Sequence, residues 1–274
     1  MISNITFLET FYKCDEEVIL SLEKVDMYFQ GKQNVYVLSN FSLDVHKGEF
    51  ICILGPSGCG KSTLLSIIAG IFQQTNGSVK INGQPIIGMD WHRAIMFQTP
   101  TLYPWLNVYE NVAFGLKVRN VPKKEIKEKV EKYIELVGLN NFINLKPYEL
   151  SGGMKQRAAL ARVLANEPSI ILMDEPLGAL DAFTRNKMQI LVRDVWRKTG
   201  MTALLITHDV DEAMALGSRI IVLSQRPARI IGMFDAMFTR PLVGTVEDDE
   251  IFASIEYMSI RRKILDLIDD QLNI

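Results

Sequence analysis

Three glycines, a lysine and three hydroxyls fall within nine residues, Gly55-Pro56-Ser57-Gly58-Cys59-Gly60-Lys61-Ser62-Thr63. The fixed positions match G-x-x-x-x-G-K-[ST], a phosphate-holding pattern. Glycine backbone wraps closely round an anion, so that successive N–H groups point inward. In that setting Lys61 places a charge on the β- and γ-phosphates, and the Ser62 hydroxyl ligates Mg²⁺. Thr63 and the apolar residues after it begin a helix whose positive end faces the anion. Cys59 has two readings: a thiol with its pKa lowered by the helix N-terminus, or a small residue supplying a backbone N–H.

Two more groups carry chemistry. Asp174 and Glu175 follow the apolar run Ile170-Ile171-Leu172-Met173. Paired carboxylates at the end of a buried strand are costly without a task. Asp174 suits Mg²⁺, directly or through water, and Glu175 suits orienting or deprotonating an attacking water. In Leu150-Ser151-Gly152-Gly153-Met154-Lys155-Gln156-Arg157, Ser151 is a natural N-cap. The glycines leave N–H groups accessible at a second anion-binding helix start.

These groups need a frame. Phe50–Leu54 reads as a buried strand into the glycine loop, and Leu64–Ala69 as a helix ending near Gly70. Val18–Val25, Val35–Leu38 and Phe41–Val45 read as strands before a turn at Lys47-Gly48, and Val79–Ile81 as a strand before the tight turn Asn82-Gly83. The middle is helical: Pro122 suits a first turn, with Ile126, Val130, Ile134 and Val137 on one face and Gly138 as the stop. Glu125–Lys129 and Glu128–Lys132 are candidate i,i+4 pairs on its wet face.

From residue 170 the pattern alternates: strand Ile170–Met173, helix Arg185–Lys198 ending at Gly200, then strands Ala203–Ile206 and Arg219–Leu223. Apolar strands between helices imply a parallel sheet covered on both faces. Beyond Arg240, the acidic run Glu247–Glu250 suits a helix start. Ile251, Ile255, Met258, Ile264, Ile268 and Leu272 follow at helical spacing, as an extension packed on the main domain or, alternatively, a regulatory or partner-binding segment.

The chain has 274 residues and a net charge of −2, so a stable nucleic-acid partner has no electrostatic support. Cys14, Cys52 and Cys59 lack metal-ligand spacing and suit a reducing cytosol. No apolar run approaches the ~20 residues that cross a bilayer. Residues Met1 to Glu17 do not read as a secretion signal, so membrane work needs a partner.

The order Gly55–Thr63, Gln98, Leu150–Gln156, Asp174–Glu175, Asp181 and His208 resembles an ATP-binding cassette ATPase, the motor subunit of ABC transporters. The resemblance spans roughly residues 18–235, and the LSGG-x-x-Q signature is its most specific mark. It implies an α/β fold: a P-loop NTPase (RecA-like) core with an N-terminal antiparallel β-subdomain. A helical signature subdomain is inserted at about 99–160, and residues 236–274 form a C-terminal helical extension. In this family two cassettes pack head to tail around ATP and Mg²⁺. Ser151, Gly152, Gly153 and Gln156 then belong to the signature, with Ser151 and Gly153 on the γ-phosphate held by the other copy.

The same resemblance puts Gln98 near Mg²⁺ and on the route to the membrane subunit, and Asp181 across the dimer interface. It puts His208 on the γ-phosphate and Phe29 on adenine, with Tyr28 close behind. His46 and His92 match no motif and read as surface or loop residues. Met96–Leu106, Thr207–Ala213, Leu223–Ile230 and the tail after Thr239-Arg240-Pro241 resemble the nitrate, sulfonate and taurine importer branch. That implies a homodimer on the cytoplasmic face of the membrane, a separate permease and, indirectly, an external substrate-binding protein. The aromatic segment within Met96–Leu106 reads as a groove for a permease helix in preference to core packing. The competing reading is a soluble ABC ATPase of DNA repair or translation. A single cassette, with only about 50 residues between Gln98 and Ser151, counts against it.

Overall fold

The computed structural model describes residues 17–31, 33–236 and 255–272. They divide into two compact units: residues up to Met89 together with those from Gly200 onward, and Asp90–Thr199.

The first unit holds two sheets. In one, β1 (Val18–Phe29) pairs antiparallel with β2 (Val35–His46) and β4 (Asn76–Ile81). Leu20 and Leu22 alternate into the core, and Val25 and Met27 resume one residue out of phase. The shift falls at Lys24, where φ is +48° and the backbone N–H donates to Ser42 Oγ at 2.9 Å. A β-bulge of this kind keeps both halves of a strand facing one core. The two strands read around Asn40 are a single strand. Asn40 sits at φ +51° and its N–H donates to Asp26 Oδ1 at 2.7 Å, so the local turn signal is absorbed into the ladder. Asn82 and Gly83, both at positive φ, turn β4 into the short β5 (Gln84–Pro85) as expected.

The second sheet centres on β3 (Phe50–Leu54), every residue of which is buried. It runs parallel to β8 (Ala203–Ile206) and β9 (Arg219–Leu223). An edge strand not read from the sequence, β10 (Ile230–Asp235), pairs antiparallel with β9. After the glycine loop comes α1 (Lys61–Ala69), closed by Gly70 at φ +81°. Its Leu64, Ile67 and Ile68 are buried, at roughly 2 kcal/mol of hydrophobic stabilisation each.

The C-terminal helix α7 (Ile255–Leu272) belongs to this unit, with Tyr257 and Ile264 buried. The acidic run Glu247–Glu250, Ile251, Thr239–Pro241 and Cys14 lie outside the described residues. Among the described residues no helix is long and apolar enough to cross a membrane.

The second unit carries the parallel pair β6 (Arg93–Met96) and β7 (Ile170–Asp174), and four helices among its described residues. Helix α2 (Val108–Val118) begins at a capping box: Asn107 Oδ1 accepts from the Glu110 N–H at 2.8 Å, and Glu110 accepts from the Asn107 N–H at 3.0 Å. Asn111, fully buried, ties the aromatic segment down, accepting from Tyr103 N–H and donating to the carbonyls of Tyr103, Leu106 and Asn107.

In α3 (Lys123–Leu136), Ile126, Val130 and Ile134 are buried and Gly138 stops the helix at φ +69°. Glu125 meets Lys129 at 2.9 Å as the spacing requires. The second pair on the wet face is Lys127–Glu131 at 3.8 Å, while Lys132 lies over the Tyr133 ring. Helices α4 (Gly152–Leu164) and α5 (Ala182–Thr199) complete the unit.

Candidate functional site

In the first unit the chain leaves β3 at Leu54 and turns at once into the glycine loop. Three loop glycines are fixed by space or backbone. A Cβ on Gly55 would stand 3.1 Å from Leu223 Cβ, Gly58 has φ +75°, and Gly60 has φ +125°. Lys61 is only 7% exposed, and its ammonium donates to the carbonyls of Gly55 at 2.7 Å and Pro56 at 2.9 Å. Two of its three donors thus hold the loop's shape, and the charge stays beside the loop. Helix α1 starts at Gly60 with no side-chain cap and no acid in its first turn. A helix start of that kind favours an external anion.

Burial pushes the Cys59 thiol up, against the opposing charge of Lys61. This corrects the lowered-pKa reading: desolvation outweighs the Lys61 and Arg226 charges and the nearby backbone N–H groups, and Cys59 serves as a small buried residue. His208 lies in the same unit, just past β8. The β3–β8 register pairs Ile53 with Ile206, and Thr207 N–H donates to the Ile53 carbonyl at 3.2 Å. The histidine therefore leaves its strand beside the strand that feeds the loop. Two local bonds hold it: Asp209 N–H donates to Thr207 Oγ1 at 3.0 Å, and Asp209 caps α6 (Val210–Leu216). Phe29 ends β1 with 41% of its surface exposed, edge-on to Phe72 at 5.7 Å, whereas Tyr28 leans on Tyr36 at 5.3 Å. His46, 3.4 Å from Glu49, ends β2, and His92, against Trp91, precedes β6.

In the second unit the parallel register of β6 and β7 sets Met96 beside Met173, so Gln98 follows the end of one strand while Asp174 ends the other and Glu175 comes next. Gly178 admits Gln98: a Cβ there would lie 3.0 Å from its Nε2. Glu175 has φ +45°, left-handed for a residue with a side chain, and Gly178 N–H closes its turn on the Glu175 carbonyl at 3.1 Å. Such strain persists where surrounding structure enforces it, and it concentrates at functional sites. Buried Gln156 braces the same turn by donating to the Pro176 carbonyl.

Helix α4 opens as expected, with Ser151 Oγ accepting from Met154 N–H at 3.3 Å. Ser151 and Gly152 are exposed. A Cβ on Gly153 would meet Thr184 Cγ2 at 2.7 Å, so only glycine lets the signature approach the start of α5. Fully exposed Asp181 accepts from Thr184 N–H at 3.0 Å, and that backbone bond holds its carboxyl below the usual range.

Sequence reasoning missed Arg226. Its Nε and Nη2 donate to the Gly58 carbonyl at 3.1 and 2.7 Å, across 168 residues of chain. The candidate metal ligands Ser62, Gln98 and Asp174 offer a hydroxyl, a carboxamide and a carboxylate, all hard oxygen donors. Among the described residues no group of three or more His, Cys, Asp or Glu forms a metal cage. That donor chemistry fits Mg²⁺, which keeps waters and shares phosphate oxygens rather than taking an all-protein site.

The family model described as "ABC transporter" matches residues 38–178. The taurine import ATP-binding protein of Roseobacter denitrificans is 46% identical over 254 residues, 92% of this chain and 94% of that protein. Among solved structures, an ATP-binding cassette in a dimeric post-hydrolysis state bound to ADP and Pi is 33% identical with a TM-score of 0.68, covering 80% of this chain and 99% of the other. The cbiO1 subunit of Clostridium perfringens, part of the ABC transporter complex cbiONQ, is 26% identical with a TM-score of 0.74, covering 94% of this chain and 100% of that one.

Proposed function

This chain belongs to the ABC transporter family, and we propose that it is the ATP-hydrolysing motor of an importer. Two copies trap ATP and drive a separate permease for taurine or a similar small solute. The observation that carries this reading is a chain with two helix starts made for anions. One is α1, uncapped behind a lysine-bearing glycine loop, and the other is the start of α4, where Ser151 and Gly152 are exposed. Two copies set head to tail put the second kind against nucleotide held by the first.

The residue roles we propose are those that the resemblance to this family implies. Residues Gly55 to Thr63 cradle the phosphates, with Lys61 on the β/γ pair. Ser62, Gln98 and Asp174 would hold Mg²⁺, which would supply positive charge to neutralise the phosphates. Glu175 orients and deprotonates the attacking water, a contribution of about 10²–10⁴ in rate for a general base. His208 contacts the γ-phosphate and keeps the line of attack. Ser151 and Gly153 reach the γ-phosphate of the other copy, Gln156 supports the Glu175 turn, Asp181 lies at the interface, and Phe29 stacks on adenine. A segmental domain, 18–235 with a helical insert at about 99–160, accounts for the motor, and residues 236–274 are appended to it. The motor works at the cytoplasmic face of the membrane, beneath a permease that an external binding protein feeds.

The test is a pull-down of the tagged Glu175→Gln chain with ATP from gently solubilised native membranes, read by mass spectrometry. Recovery of a multi-span permease and a solute-binding protein supports the importer reading. Recovery of ribosomal or DNA-repair proteins alone sinks it.

A further inference from the structure

Arg226 sits on a pinned loop. Between β9 and β10, two hydrogen bonds join Ser224 and Arg229, from Ser224 N–H to the Arg229 carbonyl at 2.9 Å and from Arg229 N–H to Ser224 Oγ at 3.0 Å. Ala228 N–H donates to the Val37 carbonyl at 2.8 Å, and Ser39 N–H to the Ala228 carbonyl at 3.2 Å. From this platform the guanidinium forks onto the Gly58 carbonyl with two of its donors. The Gly58 C=O and the Cys59 N–H belong to one planar peptide and point in opposite directions. Holding the carbonyl on Arg226 therefore keeps the Cys59 N–H within the loop's own turn, where it donates to the Pro56 carbonyl at 3.3 Å. Gly58, at φ +75°, is flexible enough to flip without such a hold, and a flip would turn a carbonyl dipole toward a bound anion.

The platform is tied in turn to α7. Gln225, next to Arg226, donates its backbone N–H to Gln271 Oε1 at 3.2 Å and its side-chain amide to the Gln271 carbonyl. At its other end α7 is anchored by a two-pronged ion pair from Arg261 to Asp211 of α6, at 2.7 and 3.2 Å. A Cβ on Gly232 of β10 would lie 2.6 Å from Leu267, so the helix rests directly on the β9–β10 hairpin.

We propose that Arg226 is a positioning residue for the phosphate loop and that the C-terminal helix sets its place through Gln225 and Gln271. The tail thereby tunes the affinity of the nucleotide site from outside it. This inference rests on the nucleotide reading of the loop.

The test measures ATP and ADP affinity, KM and kcat on the full-length chain. Arg226→Ala weakens both nucleotides about tenfold, the scale of one charge-assisted hydrogen bond. It raises KM more than it lowers kcat, because the carbonyl it restrains acts on binding. Arg226→Lys, which keeps the charge and a donor nitrogen but not the planar fork, restores part of the affinity. Gln271→Ala weakens binding in the same direction by a few-fold, and the double variant binds no worse than Arg226→Ala alone.

Wild-type affinity in Arg226→Ala overturns the proposal. Additive losses in the double variant overturn the link to α7. A wild-type chain that binds neither nucleotide sinks this inference and the ATPase reading together, whereas binding by wild type with Arg226→Ala unchanged sinks this inference alone.

Discussion

Gly60→Ala strikes the fold and the site at once, and its cost is read from one residue's surroundings. Gly60 has φ +125° and ψ 8°, outside every region that a side-chain-bearing residue adopts at low energy. Strain of this kind costs about 1–3 kcal/mol. The added Cβ would also stand 2.7 Å from Val37 Cγ1 and 3.0 Å from the Val37 carbonyl. Overpacking of a tight site adds about 1–3 kcal/mol. Together the loss is roughly 2–6 kcal/mol, a large part of a typical stability of about 5–15 kcal/mol. Gly83→Ala supplies the control, since Gly83 has φ +73° with nothing within 4 Å of its added Cβ. Its loss is strain alone, about 1–2 kcal/mol.

In urea unfolding, with a slope of about 2–3 kcal/mol/M, Gly60→Ala lowers the midpoint by roughly 1 M or more and Gly83→Ala by under ~1 M. ATP titration separates the two variants further: Gly83→Ala binds as wild type, while Gly60→Ala loses affinity because the loop cannot keep its amides in place. Equal midpoint shifts, or wild-type ATP affinity in Gly60→Ala, would refute the reasoning.

Two further predictions concern charge. Lys61→Ala removes a buried ammonium that also holds the Gly55 and Pro56 carbonyls, so calorimetric titration shows at least a tenfold loss of ATP affinity; unchanged affinity places the nucleotide elsewhere. Burial raises the Glu167 pKa, but hydrogen bonds from Lys129 and Tyr133 outweigh it and hold the carboxyl below its ordinary 4.5. With the folded pKa below the unfolded one, its stabilisation is present above pH ~4.5 and lost as pH falls through the folded value. Glu167→Gln therefore shows a flatter acid limb in thermal melts as pH falls below the ordinary carboxyl value, and an unchanged limb contradicts the assignment.

Much of the site was legible because its chemistry is local. The glycine loop, the Ser151 cap and the Asp174–Glu175 turn each declare themselves within ten residues. Where tertiary structure overrides a local signal, the reading differs. Asn40 looks like a break between strands, yet the Asp26 bond carries β2 through it. Helix α2 begins just past the aromatic segment Met96–Leu106, where Asn107-Val108-Tyr109-Glu110 is a legible capping box. Strand β10 carries Gly232 and leaves Met233 half exposed, a weak pattern for an edge strand. The Cys59 thiol obeys its burial, which one sequence does not display. Arg226 was beyond reach for a simpler reason: its partner lies 168 residues away, and only the β9–β10 hairpin brings the two together.

The central claim is hydrolysis of ATP by Glu175 between two copies of this chain. Its most direct test is Glu175→Gln, which removes the base and keeps the side chain's shape. Phosphate release and size-exclusion chromatography with ATP and Mg²⁺ are read on the same sample. Turnover falls by about 10²-fold or more, with ATP binding intact and a shift from monomer to an ATP-bound dimer. Wild-type turnover, or a chain that stays monomeric with ATP bound, would contradict it.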